Sequence, residues 1–137
     1  MDFEYAITGG DFSRAGFASS HLKKILKQIN IDPGLIKKIV IALYEAEVNI
    51  VAHAYEGKIK VQIEPEQIDV DVSDRGPGIE DINRAMENGY STASDEVREM
   101  GFGAGMGLAN IQNNSDELHI NSIVNKGTTL KIVKRLK

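Results

Sequence analysis

The segment from Asp32 to Tyr55 constrains the fold of this chain more than any other. Asp32-Pro33 reads as an N-cap followed by proline at the first helical position, and the helix it starts runs to about Tyr55 and stops near Gly57. Ile36, Val40, Leu43, Ile50, Val51 and Ala54 make one apolar stripe, while Ile41 and Val48 lie well round from its centre. A helix that is apolar on most sides is covered on most sides, so the rest of the chain must wrap it. Glu45 and Asn49 nevertheless sit one turn apart on a face roughly opposite that stripe. Polar groups on an otherwise apolar helix need partners.

The flanking segments are of two kinds. Phe3, Tyr5 and Ile7 alternate with polar or small residues, a period-2 strand signal that Gly9-Gly10 ends. From about Asp11 to Gln28 the apolar residues fall at helical spacing, with Lys23, Lys24 and Lys27 on the wet side. After the long helix, Ile59, Val61 and Ile63 alternate with polar residues, and so do Ile68, Val70 and Val72 beyond a turn at Glu64-Pro65-Glu66. Such alternation implies one buried and one wet face, typical of an antiparallel hairpin. Asp74-Arg75-Gly76-Pro77-Gly78 breaks the second strand, and a short helix is expected from about Glu80 to Asn88. A helix around Leu108 and Ile111 follows the glycine-rich run at 101–107. A strand from Leu118, a turn at Asn125-Lys126-Gly127 and a last strand through Leu130, Ile132 and Lys134 complete the chain. The order β-α-α-β-β-α-α-β-β, with one apolar face per strand, predicts an α+β two-layer sandwich. Its sheet is mixed and mostly antiparallel, with the helices on one face. The 137 residues are expected to form a single domain.

Composition narrows the function classes. With 42% hydrophobic and 26% charged residues the chain is ordinary globular material, and a net charge of −4 argues against a non-specific nucleic-acid binder. No cysteine is present, so there is neither a disulfide framework nor a thiolate metal site. Met1-Asp2-Phe3-Glu4 lacks the basic start and apolar run of a secretory signal, and no apolar stretch approaches the ~20 residues of a bilayer span. A cytoplasmic protein without a membrane association is the expectation.

Four stretches carry residues fit for chemistry. Gly101, Gly103, Gly105 and Gly107 alternate with other residues just before a helix; they form either a flexible loop or a backbone that meets phosphate. The run is neither the dinucleotide fingerprint nor a Walker loop, since no register supplies G-x-G-x-x-G and no Gly-Lys-Ser/Thr follows. Glu45 and Asn49 are either two polar groups satisfying each other or nearby loops, or a general base beside a hard oxygen ligand suited to Mg²⁺. Asp74-Arg75-Gly76-Pro77-Gly78 is either an ordinary turn or a carboxylate placed to accept a hydrogen bond from a base amine. Thr128-Thr129 is ordinary β-strand material or a hydroxyl for a base. His53, one further turn along the long helix, reads as a packed or capping residue.

Taken in order, these stretches resemble the four motifs of the GHKL (Bergerat-fold) ATP-binding superfamily. They are Asn49 with Glu45 one turn before it, Asp74-x-Gly76-x-Gly78, Gly103-x-Gly105-x-Gly107-Leu108, and Gly127-Thr128. The narrower resemblance is to the anti-sigma-factor serine kinases and stress-response switch kinases. The stretch from Glu45 to Ala54 is similar to their metal-binding helix, and Asn88-Gly89-Tyr90-Ser91-Thr92 ahead of a glycine run resembles the switch-kinase branch.

The resemblance implies an ATP- and Mg²⁺-dependent protein-serine kinase that phosphorylates a STAS-domain antagonist, of the anti-anti-sigma or stressosome type. A sigma factor or a phosphatase are further candidate partners, and a homodimer is compatible with it. Asn49 would hold Mg²⁺ and Glu45 would be the base. Asp74 would read the adenine amine with Gly76 and Gly78 beside the ring. Gly103, Gly105, Gly107 and Leu108 would line the phosphates, Thr128 would support the base, and residues 90–102 would be an ATP lid. Glu47 departs from the pattern, falling in the apolar stripe where it either pairs with a lysine or marks a partner surface. Two alternatives stand beside the kinase: a nucleotide-dependent module that sequesters a sigma factor or activates a phosphatase, and a detached histidine-kinase catalytic domain.

Overall fold

The computed structural model describes residues 1–79, 86 and 107–136. The elements among them are strand β1 (Asp2–Thr8), helices α1 (Phe17–Gln28) and α2 (Pro33–His53), strands β2 (Glu56–Ile63) and β3 (Gln67–Arg75), helix α3 (Gly107–Asn113), and strands β4 (Glu117–Ile123) and β5 (Gly127–Arg135). Apart from Met86, the short helix expected near Glu80–Asn88 lies outside the described residues, as does the lid stretch at 90–102.

The alternating segments become a five-stranded sheet in the order β1-β2-β3-β5-β4, antiparallel at each of its described pairings. Ile59, Val61, Val70, Val72, Leu130 and Ile132 point from its inner face into one core with Leu22 and Leu26 of α1, Leu43 and Ile50 of α2, and Ile111 of α3. Lys60, Asp71, Ser73, His119, Asn121, Thr129 and Lys131 stand on the opposite, exposed face. This is the two-layer α+β arrangement that one-sided alternation demands. β3 runs further than its composition suggests, since Asp74 and Arg75 still pair with Gly57 and Glu56 of β2 before the chain turns away.

α2 begins where the sequence places it. The Asp32 carboxylate accepts from the N–H groups of Gly34 (3.0 Å) and Leu35 (3.3 Å), and Pro33 occupies the first turn. α1 does not. The expected helix from Asp11 is only a 3-10 turn over Phe12–Arg14, followed by extended Ala15 and by Gly16 in the left-handed region (φ +94°). Gly16 precedes Phe17 with no side chain to cap the new helix, and the cap comes from another element. Glu47, in the middle of α2 and 1% exposed, accepts from the N–H of Ala18 (3.0 Å) and of Ser19 (3.3 Å). Neither sequence-based expectation for Glu47 holds: it bonds to backbone amides rather than to a lysine, and it is buried rather than on a partner surface. A carboxylate at a helix N-terminus satisfies orphan donors and meets the positive end of the helix dipole, which offsets its desolvation. Tyr5 of β1 joins the same junction. Its hydroxyl lies 2.6 Å from His21 Nδ1 of α1, and burial first, then the Glu47 charge, push its pKa up.

A second buried charge locks the far end of the sheet. Lys134 of β5 has an 8% exposed side chain whose Nζ lies 3.3 Å from Asp116, and the Asp116 carboxylate also accepts the Arg135 N–H at 2.6 Å. That backbone bond above all, with Lys134 and Arg135 beside it, holds the Asp116 carboxyl below the usual carboxylate range.

Two outcomes follow. Glu47→Ala strips the cap from α1 and leaves two buried amides without a partner, and is expected to cost about 2–4 kcal/mol in denaturant unfolding, with Glu47→Gln losing less. A carboxyl whose folded pKa is depressed contributes stability above its unfolded pKa and loses it as pH falls through the folded one. Asp116→Asn should therefore unfold earlier than the parent near about pH 7, and the two unfolding midpoints should converge near about pH 2.

Candidate functional site

The polar residues singled out in the sequence fall on the helix-covered side of one end of the sheet and on the α2 face that meets α3. At the sheet end, β3, β5 and β4 lie side by side. Ser73 pairs with Thr129 and Ser122 with Thr128, which brings Asp74, Thr128 and Ser122 into one row across three strands. The row is bonded along its length. The Thr128 N–H donates to Asp74 Oδ1 (3.1 Å), and the hydroxyls of Thr128 and Ser122 lie 2.8 Å apart. Burial pushes the half-buried Asp74 carboxyl upward, and the Thr128 bond only partly offsets this. Oδ2 of Asp74 has no hydrogen-bond partner among the described residues.

The loop after β3 is tied to the β4–β5 turn. The Gly76 N–H donates to the Lys126 carbonyl (3.0 Å), the Asn125 N–H to the Pro77 carbonyl (2.8 Å), and the Ile79 N–H to Ser122 Oγ (2.8 Å). Two glycines permit this approach. Gly78 has φ +75°, and a Cβ there would stand 2.5 Å from the Ile123 carbonyl oxygen. At Gly127 a Cβ would overlap the Asp74 carbonyl, so no larger residue can start β5 this close to β3.

On α2, Glu45 is half-buried and its Oε1 accepts from Asn110 Nδ2 of α3 at 3.2 Å. Burial raises the Glu45 pKa and the Asn110 bond lowers it less. A carboxylate raised in this way is a stronger base than one in water. Asn49 abuts the start of α3, its Oδ1 lying 2.9 Å from where a Cβ on Gly107 would stand. Bare backbone thus passes directly over Asn49. Among the described residues no group of three or more His, Cys, Asp or Glu side chains is placed to hold a metal ion. The donor set here is a single amide oxygen beside bare backbone, which fits an ion that takes most of its shell from phosphate and water. Leu108 is 8% exposed and packs into the core. His53 ends α2, where burial lowers its pKa. Gly103 and Gly105 lie outside the described residues.

Asp74 and Thr128 are thus in direct contact, as are Glu45 and α3, and Asn49 and Gly107. Three further residues were not singled out as part of the site: Ser122, Asn110 and Glu47. Ser122 had a signal, a polar residue two places after Ile120 on the inward side of a strand. Asn110 had none beyond its place in a helix.

Comparisons with known proteins show which family the chain belongs to. An anti-sigma F factor of Thermoanaerobacter sp. (strain X514) is 38% identical over 111 residues, which cover 76% of this chain and 74% of that protein. The serine/threonine-protein kinase RsbT of Bacillus subtilis is 31% identical over 104 residues, covering 73% and 72%. Among solved structures, the RsbU and RsbW domains of Rv1364c from Mycobacterium tuberculosis superpose with a TM-score of 0.64 at 21% identity, over 98% of this chain and 32% of that longer one. The mycobacterial sensor histidine kinase MprB superposes with a TM-score of 0.55 at 16% identity, over 98% and 97%. These two likenesses speak to the fold. The family model described as histidine kinase-like ATPase domain matches residues 14–134, and the chain belongs to that family.

Proposed function

We propose that this chain is an ATP- and Mg²⁺-dependent protein-serine kinase of the anti-sigma-factor type, acting by partner switching on a STAS-domain antagonist. The observation that carries the reading is the α2 face. Glu45, its pKa raised, is held by Asn110 one turn from Asn49, which lies against the bare backbone of Gly107. The relatives named anti-sigma F factor and serine/threonine-protein kinase support the choice of reaction.

In this reading Asp74 and Thr128 take the adenine edge, the amine donating to the open carboxylate oxygen, with Gly76 and Gly78 beside the ring. Asn49 would hold Mg²⁺, which when bound neutralises phosphate charge. Gly107 brings bare backbone to the phosphates, and the resemblance assigns Gly103 and Gly105 to the same role. Glu45 accepts the proton of the incoming serine hydroxyl as the serine oxygen bonds to the γ-phosphorus and the bond from that phosphorus to the β–γ bridging oxygen breaks, with ADP as the leaving group. Asn110 holds Oε1, and Oε2 has no hydrogen-bond partner among the described residues. Positioning and charge neutralisation are what phosphoryl transfer asks of a protein, and these residues supply both.

The test is phosphotransfer from labelled ATP to a STAS-domain substrate, alongside nucleotide binding. Glu45→Ala should lower the transfer rate by about 10²–10⁴-fold while leaving nucleotide affinity within a few-fold. The parent rate should fall as pH drops through a value above the usual carboxylate range, because a protonated Glu45 cannot accept the serine proton. Asn49→Ala should weaken Mg²⁺-dependent nucleotide binding by about ten- to a hundredfold. Transfer that survives Glu45→Ala would remove its assigned role, and a lasting protein complex without any transfer would favour a nucleotide-sensing binding module.

A further inference from the structure

Ser122 lies two strands away from Asp74 and belongs to none of the motifs above, yet its hydroxyl is the hub of the row. Its Oγ is within hydrogen-bond distance of three groups: the Ile79 N–H at 2.8 Å, the Gly127 carbonyl at 3.2 Å and the Thr128 hydroxyl at 2.8 Å. The first can only donate, the second can only accept, and the third can do either. A serine hydroxyl has one proton and two lone pairs. All three contacts are hydrogen bonds in only one arrangement. Ser122 donates its proton to the Gly127 carbonyl and accepts from both the Ile79 N–H and the Thr128 O–H.

The direction of the Thr128 proton has a consequence one residue further along. With its O–H spent on Ser122, Thr128 Oγ1 keeps only acceptor capacity, and the Thr128 N–H is already spent on Asp74 Oδ1. The ionised Asp74 carboxylate is itself acceptor-only. Asp74 and Thr128 therefore present acceptors alone to whatever they bind. A 6-amino group can donate a proton to each of them, whereas a 6-oxopurine has only its ring N1–H to offer the two acceptors and sets its carbonyl oxygen against the lone pairs of the other.

We infer that Ser122 is a specificity-determining positioning residue, which by taking the Thr128 hydroxyl proton makes the row select a 6-aminopurine and reject a 6-oxopurine. The inference rests on the nucleotide reading above. It adds a residue that touches neither the base nor the phosphates and acts on the ligand only through Thr128. Discrimination of this kind is strong because an unmatched polar group at a partly buried edge loses its water without gaining a partner.

The full chain can be tested with ATP and inosine triphosphate, which differ only at the purine 6-position and its neighbouring ring nitrogen. Dissociation constants for both are measured with Mg²⁺ present. The parent should prefer ATP. Ser122→Ala frees the Thr128 hydroxyl to turn and donate, and the preference should shrink by about tenfold. Ser122→Cys keeps the side-chain size with a poor acceptor and should shrink it several-fold, and Ser122→Thr should retain it. If Ser122→Ala does not fold, the Cys and Thr variants decide the matter between them. In a Thr128→Val background, Ser122→Ala should leave the preference unchanged. Equal weakening of both nucleotides by Ser122→Ala, with the preference within twofold of the parent, would show a structural role only and overturn the inference. So would a further loss of preference in the Thr128→Val background. A parent that binds neither triphosphate would overturn the nucleotide reading itself, and a parent that binds both equally would overturn the selectivity alone.

Discussion

A single buried carboxylate sets the rotation of the helix on which the site is built. Glu47 is clamped by two amides at the start of α1, so the side of α2 that faces α1 is not free to vary. Successive residues of a helix turn by about 100°, which puts the positions two before and two after any residue nearly opposite it and close to each other. Those positions are Glu45 and Asn49. Holding Glu47 toward α1 therefore aims the other two toward α3, where Asn110 and Gly107 meet them. A charge in the core is expensive unless it is well hydrogen-bonded. Here two amide bonds and a helix dipole offset that cost, and the same contacts orient the face that carries Glu45 and Asn49.

The two polar ends of the site are built on different principles. The α2 face is short-range architecture: residues one turn apart on a rigid helix, with α3 laid against them. The row of Asp74, Thr128 and Ser122 is long-range, assembled from three strands by sheet register. In such a row a shift of one residue would turn every side chain to the other face. Gly127 and Gly78 guard the register by allowing contacts that a side chain would forbid.

This difference explains what could be read in advance. Period-2 alternation located all five strands, and the Asp32-Pro33 cap located α2, because each is a local signal. Asp74 and Thr128 stood out through their neighbours, and the sheet brings them into direct contact. The start of α1 was misplaced because helical spacing continues upstream through residues that Gly16 disconnects. The part played by Glu47 depends on amides 29 and 28 residues away, which no local pattern reports. Ser122 offered only its inward place on a strand, since its meaning lies in three partners from two other segments.

On the proposed reading, the row would also tie nucleotide occupancy to the order in which the sheet assembles. Ser122 and Thr128 are 6 residues apart in one hairpin, whereas Asp74 and Thr128 are separated by 54. Closing the longer loop costs more chain entropy, and pairings of this kind form late. On the proposed nucleotide reading, a base bound at the Asp74–Thr128 contact needs that pairing to be complete, so its binding energy would add to the free energy of opening the seam. The nucleotide pool would then set how often the β4–β5 hairpin peels from β3, and with it how long a molecule lasts against proteases that cut the opened form.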